Sequence, residues 1–340
     1  MSKSFASIQL RACTEPAGQF LTLANWYQIE NDDQLTPCAS PASQTVQYLC
    51  FFGAELSGAT VLEILKLCRE ADIEVTQLAL YQPTADMTPG LVLSTQSTRD
   101  VRAPVRALAA QCALQGAAIS QPPSIRKPGL LVMDMDSTAI KIECIDEIAR
   151  LAGVYDEVAA VTAQAMAGQL AFNDSLYQRV AKLSGVELPL IQQLKDNLPL
   201  MEGVAQLCEV LKAHHWRLAI ASGGFTWFAD ALKAPLQLDA VFANTLEIAD
   251  NKLTGKVLGE VVDGNKKAEV LNALAEQFDI SANQTVAMGD GANDLIMMAA
   301  AGLGVAVHGK PKVVEQADAA ITQGSLIQLL YLVAVPCSES

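Results

Sequence analysis

Asp134 and Asp136 stand two residues apart, directly after the apolar run Leu130-Leu131-Val132-Met133. In an extended strand that spacing points both carboxylates to the same side of the backbone. A strand buried on both faces cannot carry acids along its length, so the pair belongs at an exposed tip. Paired acids at a strand tip suit a divalent cation, nucleophilic attack or proton transfer. A surface turn with two solvated acids is the ordinary alternative, and for this pair alone it would be preferred.

A second cluster changes that balance. Gly289-Asp290-Gly291-Ala292-Asn293-Asp294 follows the apolar run Thr285-Val286-Ala287-Met288 and leads into a helical pattern over 295–301. Asp294 occupies the third glycine position of a dinucleotide fingerprint, and the spacing of a calcium loop is absent. Two acids and an amide on one tight loop suit a hard cation with oxygen ligands. A third tip carries Ser222-Gly223-Gly224 after the run 217–221. A hydroxyl and unhindered N–H groups bind phosphate oxygens. Ser222 lacks the surroundings of a nucleophilic serine, with no GxSxG elbow and no histidine nearby in sequence. Gly264-Asn265-Lys266-Lys267-Ala268-Glu269 opens a helical segment. One of its lysines could offset phosphate and carboxylate charge, although the segment alone reads as two solvated lysines.

The elements that must hold these residues follow from the pattern. From Gly203 onward helix and strand alternate, which implies a parallel sheet with ligands beyond the carboxyl ends of its strands. Residues 143–197 carry four short helical patterns and no strand, which suits a small helical cap. Asn244–Val262, with Asp250-Asn251 as the turn, reads as a β-hairpin at the edge of the core. Phe225, Trp227 and Phe228 read as core packing. Upstream, the proline-rich stretch 121–129 is a linker. Before it come strand 47–52, helix 59–71, strands 73–81 and 90–95, helix 100–114 and strand 117–120, a βαββαβ order typical of a ferredoxin-like unit. Residues 1–46 hold an apolar stretch, 20–27, and a polar tract, 30–44, with no function to assign.

Composition narrows the classes. A chain of 340 residues, half of them hydrophobic, supports more than one core. A net charge of −14 argues against nucleic acid and anionic membranes as partners. Eight cysteines without CxxC pairs read as reduced, hence a cytoplasmic protein, and three histidines offer no zinc site. No apolar run is long enough to span a bilayer.

Taken in order, Asp134-x-Asp136-Ser137-Thr138, Ser222-Gly223-Gly224, Lys267 and the loop 289–294 resemble the four motifs of the haloacid dehalogenase superfamily. The second acid, Asp136, points to its phosphatases and phosphomutases. Residues 143–150 and 172–180 are similar to cap segments of phosphoserine phosphatases. The resemblance covers roughly 128–335 and implies a Rossmann-like α/β core over 130–142 and 198–335, with the cap at 143–197. It implies a magnesium-dependent hydrolase that converts O-phospho-L-serine to L-serine, the last step of serine biosynthesis. Asp134 would be the nucleophile, Asp136 the acid and base, and Lys267 the charge partner. Asp134, Asp290 and the Asp136 carbonyl would hold Mg2+, with Asp294 oriented behind them. Glu143, Phe172, Arg179, Ser222, Gly223 and Asn293 would contact the substrate. A glutamate matches an ammonium and an arginine fork matches a carboxylate.

Another small-metabolite phosphatase or phosphotransferase of the superfamily is the alternative. A binding protein with a vestigial core is disfavoured by the intact motif set. The unit at 47–120 resembles ACT-type sensors, but Gly53-Ala54-Glu55-Leu56-Ser57-Gly58 departs from their Gly-x-Asp-x-Pro-Gly loop. A structural role, or a homodimer through this domain, therefore stands beside sensing. No motif lies upstream of Ile125, so a chain beginning there is expected to keep activity. Asp134→Asn should fold normally and lose turnover, because an amide is a poor nucleophile. Phosphate release and acid-stable phosphoenzyme after quenching check this, and an unchanged rate would remove Asp134 from the reaction.

Overall fold

The computed structural model describes residues 8–10, 15–19, 21–30, 34–38 and 45–337. The chain separates into two compact units. One gathers the residues up to Arg126 together with those from Val314 onward, and the other is Lys127–Val313.

The first unit is built on β1 (Ile8–Gln9), β2 (Trp26–Ile29), β3 (Gln34–Cys38), β4 (Gln47–Phe52), α1 (Gly58–Glu70), β5 (Gln77–Tyr81), β6 (Gly90–Thr95), α2 (Arg102–Gln111) and β7 (Gln115–Ile119). Its sheet runs β1-β3-β2-β5-β6-β4-β7 with antiparallel pairing throughout. The stretch β5-β6-β4-β7 is the ferredoxin-like order. Ile73, expected to start a strand, instead closes α1. Asp72 turns at φ 55°, and the Ile73 amide donates back to the Cys68 carbonyl at 2.8 Å. The described parts of 1–46 extend the sheet beyond β5 rather than standing apart from it. Most of the expected polar tract outside Gln34–Cys38, including 31–33 and 39–44, lies outside the described residues.

Both faces of this sheet are apolar, and they find different partners. Leu49, Phe51, Leu78, Leu80, Leu91 and Leu93 pack under α1 and α2. On the other side Tyr331 stacks on Phe52 at 5.0 Å and meets Tyr81 edge-on. The Tyr81 hydroxyl donates to the Tyr331 carbonyl at 2.7 Å, and the Trp26 indole donates to the Pro336 carbonyl at 3.0 Å. Strands buried on two faces read as unbroken apolar runs, which explains Gln47–Phe52. The residues from Val314 onward group with the first unit.

The second unit starts with β8 (Leu130–Met133), wholly buried. Four helices follow: α3 (Cys144–Ala152), α4 (Tyr155–Met166), α5 (Phe172–Lys182) and α6 (Leu188–Asp196). Then come α7 (Val204–Ala213), β9 (Arg217–Phe225), α8 (Thr226–Ala229), β10 (Ala240–Ala249), β11 (Lys252–Leu258), α9 (Gly264–Gln277), β12 (Thr285–Gly289), α10 (Leu295–Ala300) and β13 (Leu303–Val307). The strands lie in the order β11-β10-β9-β8-β12-β13. All neighbours are parallel except the β10–β11 hairpin. Its turn residues Asp250 and Asn251 both have positive φ, 48° and 63°, as a two-residue hairpin of favourable twist requires. The fold is thus α/β with a Rossmann-like parallel sheet, preceded by an antiparallel α+β sheet. Among the described residues no helix is long and apolar enough to cross a membrane.

Residues Leu330–Val333 pack on β4 and are all buried. A chain beginning at Ile125 would strip these side chains of their partners, at about 1.5–3 kcal/mol for each large apolar group exposed. Such a truncation keeps every motif residue of the second unit but loses these contacts. It should aggregate or melt earlier than the full chain, as read by size-exclusion chromatography and thermal denaturation. A monodisperse truncation with an unchanged melting temperature would contradict this.

Candidate active site

Sheet register brings the strand tips together. Met133 pairs with Ile220 on one side and with Met288 on the other. The next residues along the three strands are therefore Asp134, the approach to Ser222, and the approach to Asp290. The Asp134 amide donates to the Met288 carbonyl at 2.9 Å, and Asp134 Oδ1 accepts from the Met135 amide at 2.7 Å. The chain then makes a wide turn over 135–139 in which Ser137 takes φ 53°. That turn buries Asp136, leaving it 9% exposed.

Helix α9 supplies the cation. Asp263 caps it, its side chain accepting from the Lys266 amide at 3.0 Å. Lys267 then lies on the buried face with Val270, Leu271 and Leu274, only 1% exposed. Its ammonium sits 2.9 Å from Asp134 and 2.7 Å from Asp294. Lys266 points away to Glu260 and Glu269. Burial works against the charge of Lys267, but the two carboxylates outweigh it and hold the ammonium protonated. The second oxygen of Asp294 accepts from the Gly291 amide at 3.0 Å. Asp294 fits here only because residue 289 is glycine. A Cβ at that position would come within 2.3 Å of the Asp294 carboxyl carbon.

Asp134, Asp290 and Asp294 place carboxylate oxygens within 4.8 Å of one another. Asp294 is engaged through both oxygens by Lys267 and the Gly291 amide, Asp134 meets the Met135 amide and the Lys267 ammonium, and Asp290 accepts from the Thr138 hydroxyl at 3.4 Å. Burial, reinforced by Asp134 and Asp294, pushes the Asp290 carboxyl up to about 7. A half-buried acid cluster with one lysine among three carboxyl groups fits a hard divalent cation held by oxygens. The Asp136 side chain stands outside this cluster. Burial, then Glu143 and Asp134, raise its carboxyl well above the usual range against the opposing contacts of Cys144.

The cap closes the site from above. Glu143 precedes α3 and does not cap it; instead its carboxylate accepts from the Ser137 hydroxyl at 2.7 Å. Arg179 on α5 donates to the Ser175 carbonyl at 3.4 Å and forms no salt bridge among the described residues. Burial lowers its pKa, while Asp146, Glu143 and Asp136 oppose that shift. Phe172 lies against Gly223, where a Cβ would meet the ring at 2.8 Å. Towards the end of β9, Ser222 Oγ accepts from the Gly224 amide at 2.9 Å, leaving its hydroxyl proton available.

A cavity of about 200 Å³ is lined by every expected site residue: Asp134, Asp136, Glu143, Phe172, Arg179, Ser222, Gly223, Lys267, Asp290, Asn293 and Asp294. Such a volume suits a small metabolite rather than a polymer end. Sequence reasoning missed Ile145, Leu176 and Lys310 on the lining, and it missed the Ser137–Glu143 bond. Phe225, expected to serve as packing alone, is buried and also lines the cavity. The helical spacing 267, 270, 271, 274 was the available signal for choosing Lys267 over Lys266.

The family profile of haloacid dehalogenase-like hydrolases matches residues 131–299. The phosphoserine phosphatase of Vibrio cholerae is 56% identical over 208 residues, a region that is 61% of this chain and spans 63% of that relative's length. The crystal structure of a probable phosphoserine phosphatase from Vibrio cholerae, in unliganded form, is 42% identical with a TM-score of 0.71. That match covers 86% of this chain and 88% of that one. A phospho-aspartyl intermediate analogue of phosphoserine phosphatase is 41% identical with a TM-score of 0.57, covering 60% of this chain and 98% of that one. With these relatives and with motif residues gathered in one cavity, the chain belongs to the phosphoserine phosphatase family of haloacid dehalogenase-like hydrolases.

Proposed function

We propose that the protein hydrolyses O-phospho-L-serine to L-serine and phosphate through an aspartyl-phosphate on Asp134, supplying serine as the last step of its biosynthesis. One observation carries the reading. Glu143 and the salt-bridge-free Arg179 fork line the same small cavity as Asp134, Ser222 and Lys267. A ligand with an ammonium, a carboxylate and a phosphate answers all of these groups at once. The relative captured as a phospho-aspartyl analogue supports the covalent step.

The phosphate rests on the Ser222 hydroxyl, the Gly223 amide and the Lys267 ammonium, which share the charge spreading over its equatorial oxygens. Asp134 attacks phosphorus as the bond to the serine oxygen breaks. Asp136, kept protonated by burial, gives its proton to that oxygen. As a carboxylate it then takes a proton from the water that attacks the phosphoaspartate. Asn293 lines the cavity beside the loop of Asp290. Magnesium held by Asp134, Asp290 and the Asp136 main-chain carbonyl would supply Lewis-acid neutralisation of phosphate charge.

Arg179→Ala should cost about 1.5–3 kcal/mol, roughly one to two decades in kcat/KM, on phosphoserine. It should cost far less on p-nitrophenyl phosphate, which has no carboxylate. Steady-state kinetics on both substrates, with and without magnesium, test the reading, and equal losses on both would reject Arg179 as the carboxylate fork.

The raised carboxyl of Asp290 predicts a pH dependence of metal affinity. Above about pH 7 the acid is ionised and open to a cation, and below it the proton competes. Magnesium affinity, followed by calorimetry after removal with a chelator, should fall by up to about tenfold per pH unit below neutrality. Constant affinity from pH 7.5 to 5.5 would show that Asp290 is not a ligand.

A further inference from the structure

We propose that Lys310 captures the incoming phosphomonoester, a role that rests on the phosphatase reading of the same cavity. The electrostatic problem is plain. The protein carries a net charge of −14, and five acidic side chains line the cavity: Asp134, Asp136, Glu143, Asp290 and Asp294. Its substrate is an anion. Lys267 is buried between Asp134 and Asp294, and Arg179 faces Asp146, Glu143 and Asp136. Lys310 is the remaining cation on the lining. It is exposed, and among the described residues it forms no salt bridge.

The local chain holds it at the rim. β13 ends at Val307, next to β12, on the carboxyl edge where the other site loops emerge. His308 turns the backbone at φ 47°, a strained value for a residue with a side chain. Gly309 then packs against the loop of Asp290, where a Cβ would stand 3.2 Å from the Asp290 carbonyl oxygen. Pro311 follows, and the Val313 amide donates to the Lys310 carbonyl at 2.8 Å. The backbone at 310 is thus held on both sides beside the loop of Asp290, while the residue itself is exposed. A rim charge of this kind acts on encounter and on salt dependence more than on the chemical step.

The test is steady-state kinetics of Lys310→Met, Lys310→Glu and Lys310→Arg from low to high ionic strength, on phosphoserine and on p-nitrophenyl phosphate. Circular dichroism confirms that the variants are folded. At low salt kcat/KM should fall about 3- to 10-fold in Lys310→Met, through KM, and further in Lys310→Glu. Lys310→Arg should retain it. The difference should fade towards about 1 M salt, where the Debye length is about 3 Å. Both substrates should lose equally, because both present the phosphate, unlike the selective loss expected for Arg179→Ala. An unchanged kcat/KM and salt slope in Lys310→Met would overturn the proposal. So would a fall in kcat at constant KM, or a loss confined to phosphoserine. If the unsubstituted protein fails on phosphoserine, the substrate reading falls, and p-nitrophenyl phosphate still decides the role of Lys310.

Discussion

The ammonium of Lys267, buried between Asp134 and Asp294, is the interaction on which the rest of the site depends. An unpaired buried charge is strongly destabilising, and breaking such a pair costs about 3–5 kcal/mol. The lysine therefore requires α9 to dock with its buried face inward. It requires β8 and β12 to be in register, so that their tips present one carboxylate each. It also requires a glycine at 289, so that Asp294 can tuck beneath the strand end. These constraints hold Asp134 from two sides and leave it facing the cavity.

The second unit divides its labour between two layers. Asp134 and the approaches to Ser222 and Asp290 stand at strand ends, where backbone ladders place them rigidly. The approach to α3 and helix α5 place Glu143 and Arg179, the groups proposed to meet the remainder of the substrate. The acids crowd one another enough to raise Asp136, Glu143 and Asp290 together, with burial the leading cause in each. That crowding suits a cation and an acid catalyst, and it makes the approach of an anion unfavourable. Lys310 at the rim answers that cost.

The first unit is closed by residues distant in sequence. The face of its sheet opposite α1 and α2 receives Tyr331 and its neighbours. Lys127–Val313 is thus inserted between two pieces of the unit that precedes it, and the N-terminal part cannot be removed without unpairing the C-terminal one.

The sequence by itself determined where the strand ends that carry acids and glycines fall, since an apolar run followed by such residues is a local signal. It determined the cap helices, the hairpin at Asp250-Asn251 and the ferredoxin-like strand order for the same reason. Lys267 was partly legible, because its buried face repeats at helical spacing. Lys310 was not, because one lysine after a strand looks like any solvated lysine until the sheet brings β13 beside β12. The partner of Leu330–Val333 was equally hidden. An apolar segment announces that it will be buried but not against what, since burial is non-directional. Only the tertiary structure, by packing Tyr331 onto Phe52 and Tyr81, decided which unit it completes.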